Sequence, residues 1–324
     1  MEDRSMFNRT LRFDPQGHGL SVAVLAGGSS PEREVSLETG TNVLAALEAS
    51  GHATAAIDPS QCDLAEIAWG RFDACFIALH GGSGEDGRLQ RRLELLRVPY
   101  TGSGPDACRL AMSKSASKER FLQANLATLD YVLVAADNDP EELLARTARL
   151  TYPLIAKPDS QGSSLGVGVA RTPEELPQRV EQAGKFDSYV LIEPYVKGRE
   201  FTVTLLGRDV LPTAEVVSVR GVFDYTAKYQ ADDPHEVRFD LPSELTRPLE
   251  ALARGAAEAL GTRGLVRVDI RMDEAGRPWI LELNTVPGLT DTSLAPMAAA
   301  RGGLTMPRLC DRLVRDCLAL ELSR

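Results

Sequence analysis

A chain of 324 residues is too long for one ordinary core, and its 43% hydrophobic and 25% charged content is that of a globular protein with two or three domains that folds unaided. No apolar run approaches the length of a membrane span, so no membrane segment is expected. A net charge of −10 without a long Lys/Arg block argues against nucleic acid or an anionic lipid surface as partner, so any bound phosphate must sit in a built pocket.

Residues 1–19 mix charge with Pro and Gly, lack the apolar stretch of a secretory signal and read as a flexible tail. The five cysteines form no Cys-x-x-Cys pair, and an odd, scattered set fits a reducing compartment, which makes the cytoplasm the expected location. From Ser21 onward short β-branched runs alternate with helical stretches: SVAVLA, a helix through Val43, Leu44 and Leu47, then ATAAI and ACFIAL. That order predicts a parallel α/β sheet. A helical stretch around EDGRLQRRLELL follows, and the glycines of VPYTGSG before Pro105 mark a boundary, giving a first unit over 20–104. Helices from about 106 to 124 lead into the strands DYVLVA, YPLIAK, VGVAR and SYVLIE, with a Gly/Ser loop at 159–166 and a helix near 173–183; these make a central unit, 105–197. The third unit, 198–324, carries longer strands and two C-terminal helices.

The segment LVRVDIRMDEAGRPWILELN, residues 265–284, reads as two strands around a turn at Gly276. If Asp273 faces Pro278, then Val268 faces Leu283, Ile270 faces Leu281 and Met272 faces Trp279, all apolar pairs. The other face then carries Arg267 opposite Asn284 and Asp269 opposite Glu282. Like charges opposed on a sheet are destabilising unless a divalent cation lies between them, which makes Asp269, Glu282 and the Asn284 oxygen candidate Mg ligands; two solvated carboxylates on an open sheet face are the alternative, and a bulge would alter the register.

In IAKPDSQGSSLGVGV, residues 155–169, a Lys ends a strand and a Gly/Ser loop follows, an arrangement that can hold phosphate through backbone N–H groups and Lys157, although such loops are often only loops and the Walker A spacing is absent. In LAGGSSPEREVSL, residues 25–37, Ser29 and Ser30 are N-cap candidates with Pro31 near the first helical position, and Glu32 falls at the C-terminal end of a strand, where open α/β sheets bind ligands. Glu32 serves equally as a complement to the helix dipole. A dinucleotide fold is the rival reading, and the missing Gly-x-Gly-x-x-Gly argues against NAD binding. LHGGSGEDG puts His80 at the same sheet end, where a lone His is more often structural than catalytic.

Four motifs in order, GGSSPEREVSL, HGGSGEDGRLQ, KPDSQGSSLGV and LELNTVPGLTDTSLAPM, together with EFTV at 200–203 and DYTAKY at 224–229, closely resemble the D-alanine–D-alanine ligases. The resemblance runs from about residue 21 to the C-terminus. It implies a three-domain ATP-grasp fold with an N-terminal parallel α/β domain and with ATP between the central and C-terminal units. It also implies an ADP-forming ligation of two D-alanines through a D-alanyl phosphate, in peptidoglycan precursor synthesis. By matching position, Lys114, Lys157 and Lys228 go to the phosphates and Glu200 to the ribose. The hinge LIEPYV, with Glu193, Pro194 and Val196, goes to adenine, and Asp269, Glu282 and Asn284 go to Mg or Mn, with two ions implied. Glu32 receives the first D-alanine ammonium, Arg267 and the Gly288 N–H the oxyanion, and Ser293 with the Leu294 N–H the second carboxylate, at a helix start suited to anions. His80 lies near the first substrate. Ser163 and Tyr229 link to Glu32 in a hydrogen-bonded chain, and about 220–236 forms a lid. Pro194 and Ser113, before Lys114, depart from the usual family residues without removing a proposed group. A homodimer is implied as well. A relative making D-alanyl-D-lactate or another dipeptide is the alternative, disfavoured by Tyr229; a non-catalytic nucleotide-binding regulator would not need the full set of acids and lysines.

Overall fold

The structure is a computed structural model that describes residues 19–218 and 235–322. The first sheet is parallel, in the order β2-β1-β3, from β1 (Ser21–Leu25), β2 (Ala53–Ile57) and β3 (Ala74–Ile77). Between β1 and β2 runs α1 (Arg33–Ala49), which begins later than the Ser29/Ser30 cap expectation. Glu32 occupies the N-cap position, while Ser30 Oγ accepts from Glu32 N at 3.2 Å and donates to His80 O at 2.6 Å, so the serine ties the helix start to the strand-end loop instead of capping it. Then come α2 (Arg88–Leu95), α3 (Pro105–Met112) and α4 (Lys114–Gln123), where Ser113 caps α4 by accepting from Ala116 N.

The second sheet is antiparallel, β4-β7-β5-β6, from β4 (Val132–Ala135), β5 (Leu154–Pro158), β6 (Gly168–Ala170) and β7 (Tyr189–Pro194). Packed with it are α5 (Pro140–Thr147), which the sequence reading did not identify although Asp139 and Pro140 form a capped helix start, and α6 (Leu176–Gly184).

The third sheet runs β11-β10-β8-β12-β13 with β9 beside β8: β8 (Gly198–Leu206), β9 (Asp209–Val210), β10 (Ala214–Ser218), β11 (His235–Arg238), β12 (Leu265–Asp273) and β13 (Pro278–Asn284). One of its faces is covered by α7 (Ser243–Leu260), a helix the sequence reading also passed over, through Leu249, Ala253, Ala256 and Leu260. The chain closes with α8 (Leu294–Arg301) and α9 (Met306–Leu322). Their apolar residues, among them Leu309, Leu313 and Val314, join Val22, Val24 and Phe76 in one core, so the first sheet is completed by the last helices. Among the described residues no helix is long and apolar enough to cross a membrane.

The β12–β13 hairpin corrects the expected register. Arg267 faces Asn284, Val268 faces Leu283 and Asp269 faces Glu282 as anticipated, but a bulge follows, and Ile270 faces Ile280, Arg271 faces Trp279 and Met272 faces Pro278. The pairs Ile270/Leu281 and Met272/Trp279 do not form. The cause lies outside the hairpin: Ile280 N donates to Ala127 O at 2.9 Å and Thr128 Oγ1 donates to Ile280 O at 3.2 Å, so β13 is drawn against the segment leading into β4. Ile280 is fully buried, and Leu281 stands with Glu282 on the cleft side.

Candidate active site

A cleft opens between the second and third sheets, lined by Lys114, Lys157, Glu193, Glu200, Asp269 and Glu282 among others. The alternation of β12 puts Arg267, Asp269 and Arg271 on one face. The Arg267 guanidinium forks the Asp269 carboxylate with two 2.9 Å bonds; Thr202 Oγ1, across on β8, donates to Asp269 Oδ1 at 2.8 Å and Asn284 Nδ2 to Oδ2 at 3.2 Å. Glu282, opposite Asp269, lies 3.5 Å from Lys114 Nζ. Among the described residues no group of three or more His, Cys, Asp or Glu gathers for a metal. The set here is two carboxylates and an amide, all oxygen donors, with two acids directly opposed. That chemistry fits a hard divalent cation.

Lys114 sits at the start of α4, where Asp159 anchors the turn: it accepts from Ser113 Oγ at 2.8 Å, Ser115 N at 2.8 Å and Ser115 Oγ at 3.0 Å. Lys114 Nζ donates to Gln161 O at 2.6 Å, which brings it onto the Gly/Ser loop. Burial pushes the Lys114 ammonium down from its usual range, opposed mainly by Glu282.

Across the cleft Lys157 Nζ donates to Glu193 Oε1 at 2.5 Å, and Lys118 Nζ lies 2.6 Å from Glu193 Oε2. The Glu193 carboxyl is thus an internal counterion. Burial works to raise its pKa, but the two ammonium groups hold it at about 2. Lys118, which the sequence reading missed, is fully buried and also donates to Thr128 Oγ1 and Leu129 O, each at 3.0 Å. Its signal was the four-residue spacing from Lys114, which puts both on one face of α4. Glu200 on β8 pairs with Arg271 at 2.6 Å, and Arg271 was missed too, although it continues the Arg267/Asp269 alternation.

At the other end of the cleft Ser163 Oγ donates to Glu32 Oε1, joining the Gly/Ser loop to the first sheet. Ser163 and Ser164 hold left-handed backbone, with φ of 53° and 56°, conformations that non-glycine residues hold only where their surroundings compel it. Glycine is needed opposite: a Cβ on Gly81, φ +66°, would meet Glu32 Oε2 at 2.5 Å. His80 is buried, its Nε2 2.9 Å from Thr39 Oγ1 and its Nδ1 3.5 Å from Glu85. Thr39 accepts from Leu289 N at 3.4 Å and Asn42 Nδ2 donates to Leu289 O at 3.2 Å, so α1 grips the loop carrying Gly288. A Cβ on Gly288 would come 2.8 Å from Ser293 Oγ, which itself bonds Thr290 N and Oγ1 at the N-cap of α8, with the Leu294 N–H next in line. The structure therefore links Ser163 to Glu32, and His80 through Thr39 to the loop that carries Gly288 and Ser293, while Lys114, Lys157, Asp269 and Glu282 line the cleft itself. Lys228, Tyr229 and most of the expected lid lie outside the described residues.

Two family models match the chain: the D-ala D-ala ligase N-terminus over residues 55–103 and the D-ala D-ala ligase C-terminus over 121–315. Among curated proteins it is 42% identical over 303 residues to a D-alanine–D-alanine ligase of Pseudoalteromonas translucida, covering 92% of this chain and 97% of that one. It is 43% identical over 299 residues to one of Aromatoleum aromaticum, covering 91% and 95%. Among solved structures it resembles the Bacillus anthracis D-alanine–D-alanine ligase complexed with ATP, with a TM-score of 0.82 and 30% identity over 94% of this chain and 99% of that one.

Proposed function

The chain belongs to the D-alanine–D-alanine ligase family, and from that premise we propose that it joins two D-alanines to D-alanyl-D-alanine at the expense of ATP, forming ADP and phosphate, for peptidoglycan precursor synthesis. The observation that carries the reading is one cleft lined by the buried Lys114 and Lys157 and the opposed acids Asp269 and Glu282, with the Gly/Ser loop that also lines it bonded to Glu32 through Ser163.

In this proposal the first D-alanine is held through its ammonium by Glu32, near His80. One oxygen of its carboxylate attacks the γ-phosphorus of ATP; the bond to the bridging oxygen breaks, and ADP leaves. Phosphoryl transfer needs mainly positioning and charge neutralisation, which Lys114, Lys157 and Lys228 supply. Mg held by Asp269, Glu282 and Asn284 would neutralise phosphate charge further when bound. The second D-alanine, its carboxylate on Ser293 and the Leu294 N–H, presents its amine to the acyl carbon. Arg267 and the Gly288 N–H take the oxyanion that forms as the amine adds, and the adduct then expels phosphate and gives up the amine's proton to leave the peptide bond. Glu193, Pro194 and Val196 form the adenine side, Glu200 takes the ribose, and Tyr229 closes a chain through Ser163 to Glu32.

The proposed division of labour follows the units 20–104 for the first D-alanine, 105–197 and 198–324 for ATP and metal. Cytoplasmic residence and a homodimer belong to the same proposal and are supported by the family resemblance. The deciding experiment measures phosphate release from ATP with D-alanine, other D- and L-amino acids and D-lactate, with identification of the product. D-alanyl-D-alanine formed only with D-alanine, ATP and a divalent cation is the expected result; no ATP turnover would sink the reading.

A further inference from the structure

The ladder of β7 ends at Pro194, and the next backbone tie is Tyr195 N to Pro153 O at 2.8 Å; residues 196 and 197 then cross to β8. One side chain reaches this crossing from below. Arg271 on β12, buried at 8% exposure, donates from Nε to Val196 O at 3.1 Å, from Nη1 to Glu200 Oε2 at 2.6 Å and from Nη2 to the Tyr195 hydroxyl at 3.4 Å. Its guanidinium also lies 5.8 Å from the centroid of the Tyr195 ring, within cation–π range. Glu200 stands directly opposite Arg271 in the β8–β12 register, so strand pairing itself brings the two together.

A planar fork with five donors can bind a carboxylate and a carbonyl in diverging directions, which a lysine ammonium on a flexible stem does far less well. Arg271 therefore sets the separation between the hinge backbone and the Glu200 carboxylate. We propose that Arg271 is the positioning residue for the adenosine half of the nucleotide, holding the base-reading hinge and the ribose-binding acid in one fixed geometry. The inference rests on the ATP reading above. Pre-set geometry lowers the ordering cost of binding, so its loss falls on nucleotide affinity and on the recognition of the ribose hydroxyls rather than on the transfer step.

The test uses the full chain with R271M and R271K, steady-state kinetics with ATP and 2′-deoxyATP, and calorimetric titration with ADP. For R271M the KM for ATP should rise on the order of tenfold, the scale of one lost charge-assisted hydrogen bond. The kcat should stay within about twofold, the KM for D-alanine should not move, and the preference for ATP over 2′-deoxyATP should shrink. R271K should shift the same quantities less. A merely structural role would lower thermal stability and kcat together and leave the ribose preference intact. Unchanged ATP affinity and ribose preference in folded R271M, or a loss confined to kcat, would overturn the proposal; should R271M not fold, R271K decides by the same readouts. A wild-type chain that binds no ATP or ADP overturns the functional reading and this inference with it, whereas wild-type binding with unaltered variants overturns this inference alone.

Discussion

Glu193 is a carboxylate shut away from water between two ammonium groups, and its substitution should expose how much the interior of the second sheet depends on it. Glu193→Gln keeps the volume but leaves Lys118 and Lys157 buried beside each other with no anion, a loss worth roughly 3–5 kcal/mol of stability. A Glu193→Gln/Lys118→Met double variant should recover part of it, because the two changes remove opposite charges from one cluster. Denaturant unfolding of the three proteins checks this, and equal midpoints for wild type and Glu193→Gln would contradict it. The pH dependence has a definite sign. The folded-state pKa of Glu193, about 2, lies below its ordinary 4.5, so its contribution is complete above about pH 4.5 and is lost as pH falls toward 2. The acid limb of the stability curve should therefore be shallower in Glu193→Gln. At this scale part of the arrangement was legible in the sequence: alternation along the hairpin put Asp269 opposite Glu282, and both line the cleft with Lys114, which the family resemblance supplied, while Glu32 meets the Gly/Ser loop through Ser163. The sequence did not show which neighbour each would bond. Glu193 is claimed by two lysines from different elements, a contact set by packing between α4, β5 and β7 that no local spacing encodes.

A single inserted residue in β13 changes what the third sheet offers the cleft. With the straight ladder Leu281 would pair with Ile270 and sit in the core; with the bulge Ile280 takes that place at 0% exposure and Leu281 turns to the cleft. Both residues are apolar, so the alternation of hydrophobic character could not distinguish the two registers. The tie from Ile280 N to Ala127 O, spanning most of the central unit, decided it. The distinction is measurable. Truncating a core leucine or isoleucine costs about 2–5 kcal/mol, whereas a half-exposed one costs far less. Leu281→Ala should therefore lower stability by no more than about 1 kcal/mol while weakening ATP binding several-fold, through apolar area lost at roughly 0.8 kcal/mol per methylene. Ile280→Ala should do the reverse, with a large fall in stability. Unfolding midpoints and ADP titrations of the two variants give the answer, and a large destabilisation by Leu281→Ala would restore the straight register.

Over the whole molecule, the two ends of the chain close one core, which limits how far the N-terminus can be cut. The last helix, α9, packs on α1 and β3, and α8 packs on α9 and β8 and adds Ala295, Ala298 and Ala299 to the same core, so the first sheet lacks a complete interior until the last 30 or so residues are in place. Sequence order suggested three successive units; the shared core is a long-range fact that only the fold reveals. The same seam holds the first described residues. Leu20 N donates to His52 Nδ1 at 3.0 Å, Ala53 N donates to Leu20 O at 2.8 Å, and Ser21 N donates to Asp73 Oδ2 at 2.9 Å. The His52 Nε2 in turn lies 2.9 Å from Asp311 on α9, which Arg315 also holds, so Leu20 is linked through one imidazole to the C-terminal helix. Gly19 is already part of this arrangement: a Cβ there would fall 2.0 Å from Gly51 O, a close approach only glycine permits. We propose on this ground that the folded unit begins at Gly19, one residue before the expected start at 20. A chain beginning at Gly19 should keep its melting midpoint within about 2 °C and its full turnover, because it retains every one of these contacts. A chain beginning at Ala23 removes Leu20, Ser21 and the buried Val22 together, strands the His52 Nδ1 acceptor and opens the core beneath α9. Its midpoint should fall by many degrees, since a core side chain and several buried hydrogen bonds go at once. Thermal unfolding and phosphate release for the two truncations, side by side, test the boundary; a stable, active chain from Ala23 would mean that the seam through His52 contributes little, and a damaged chain from Gly19 would mean that residues 1–18 dock.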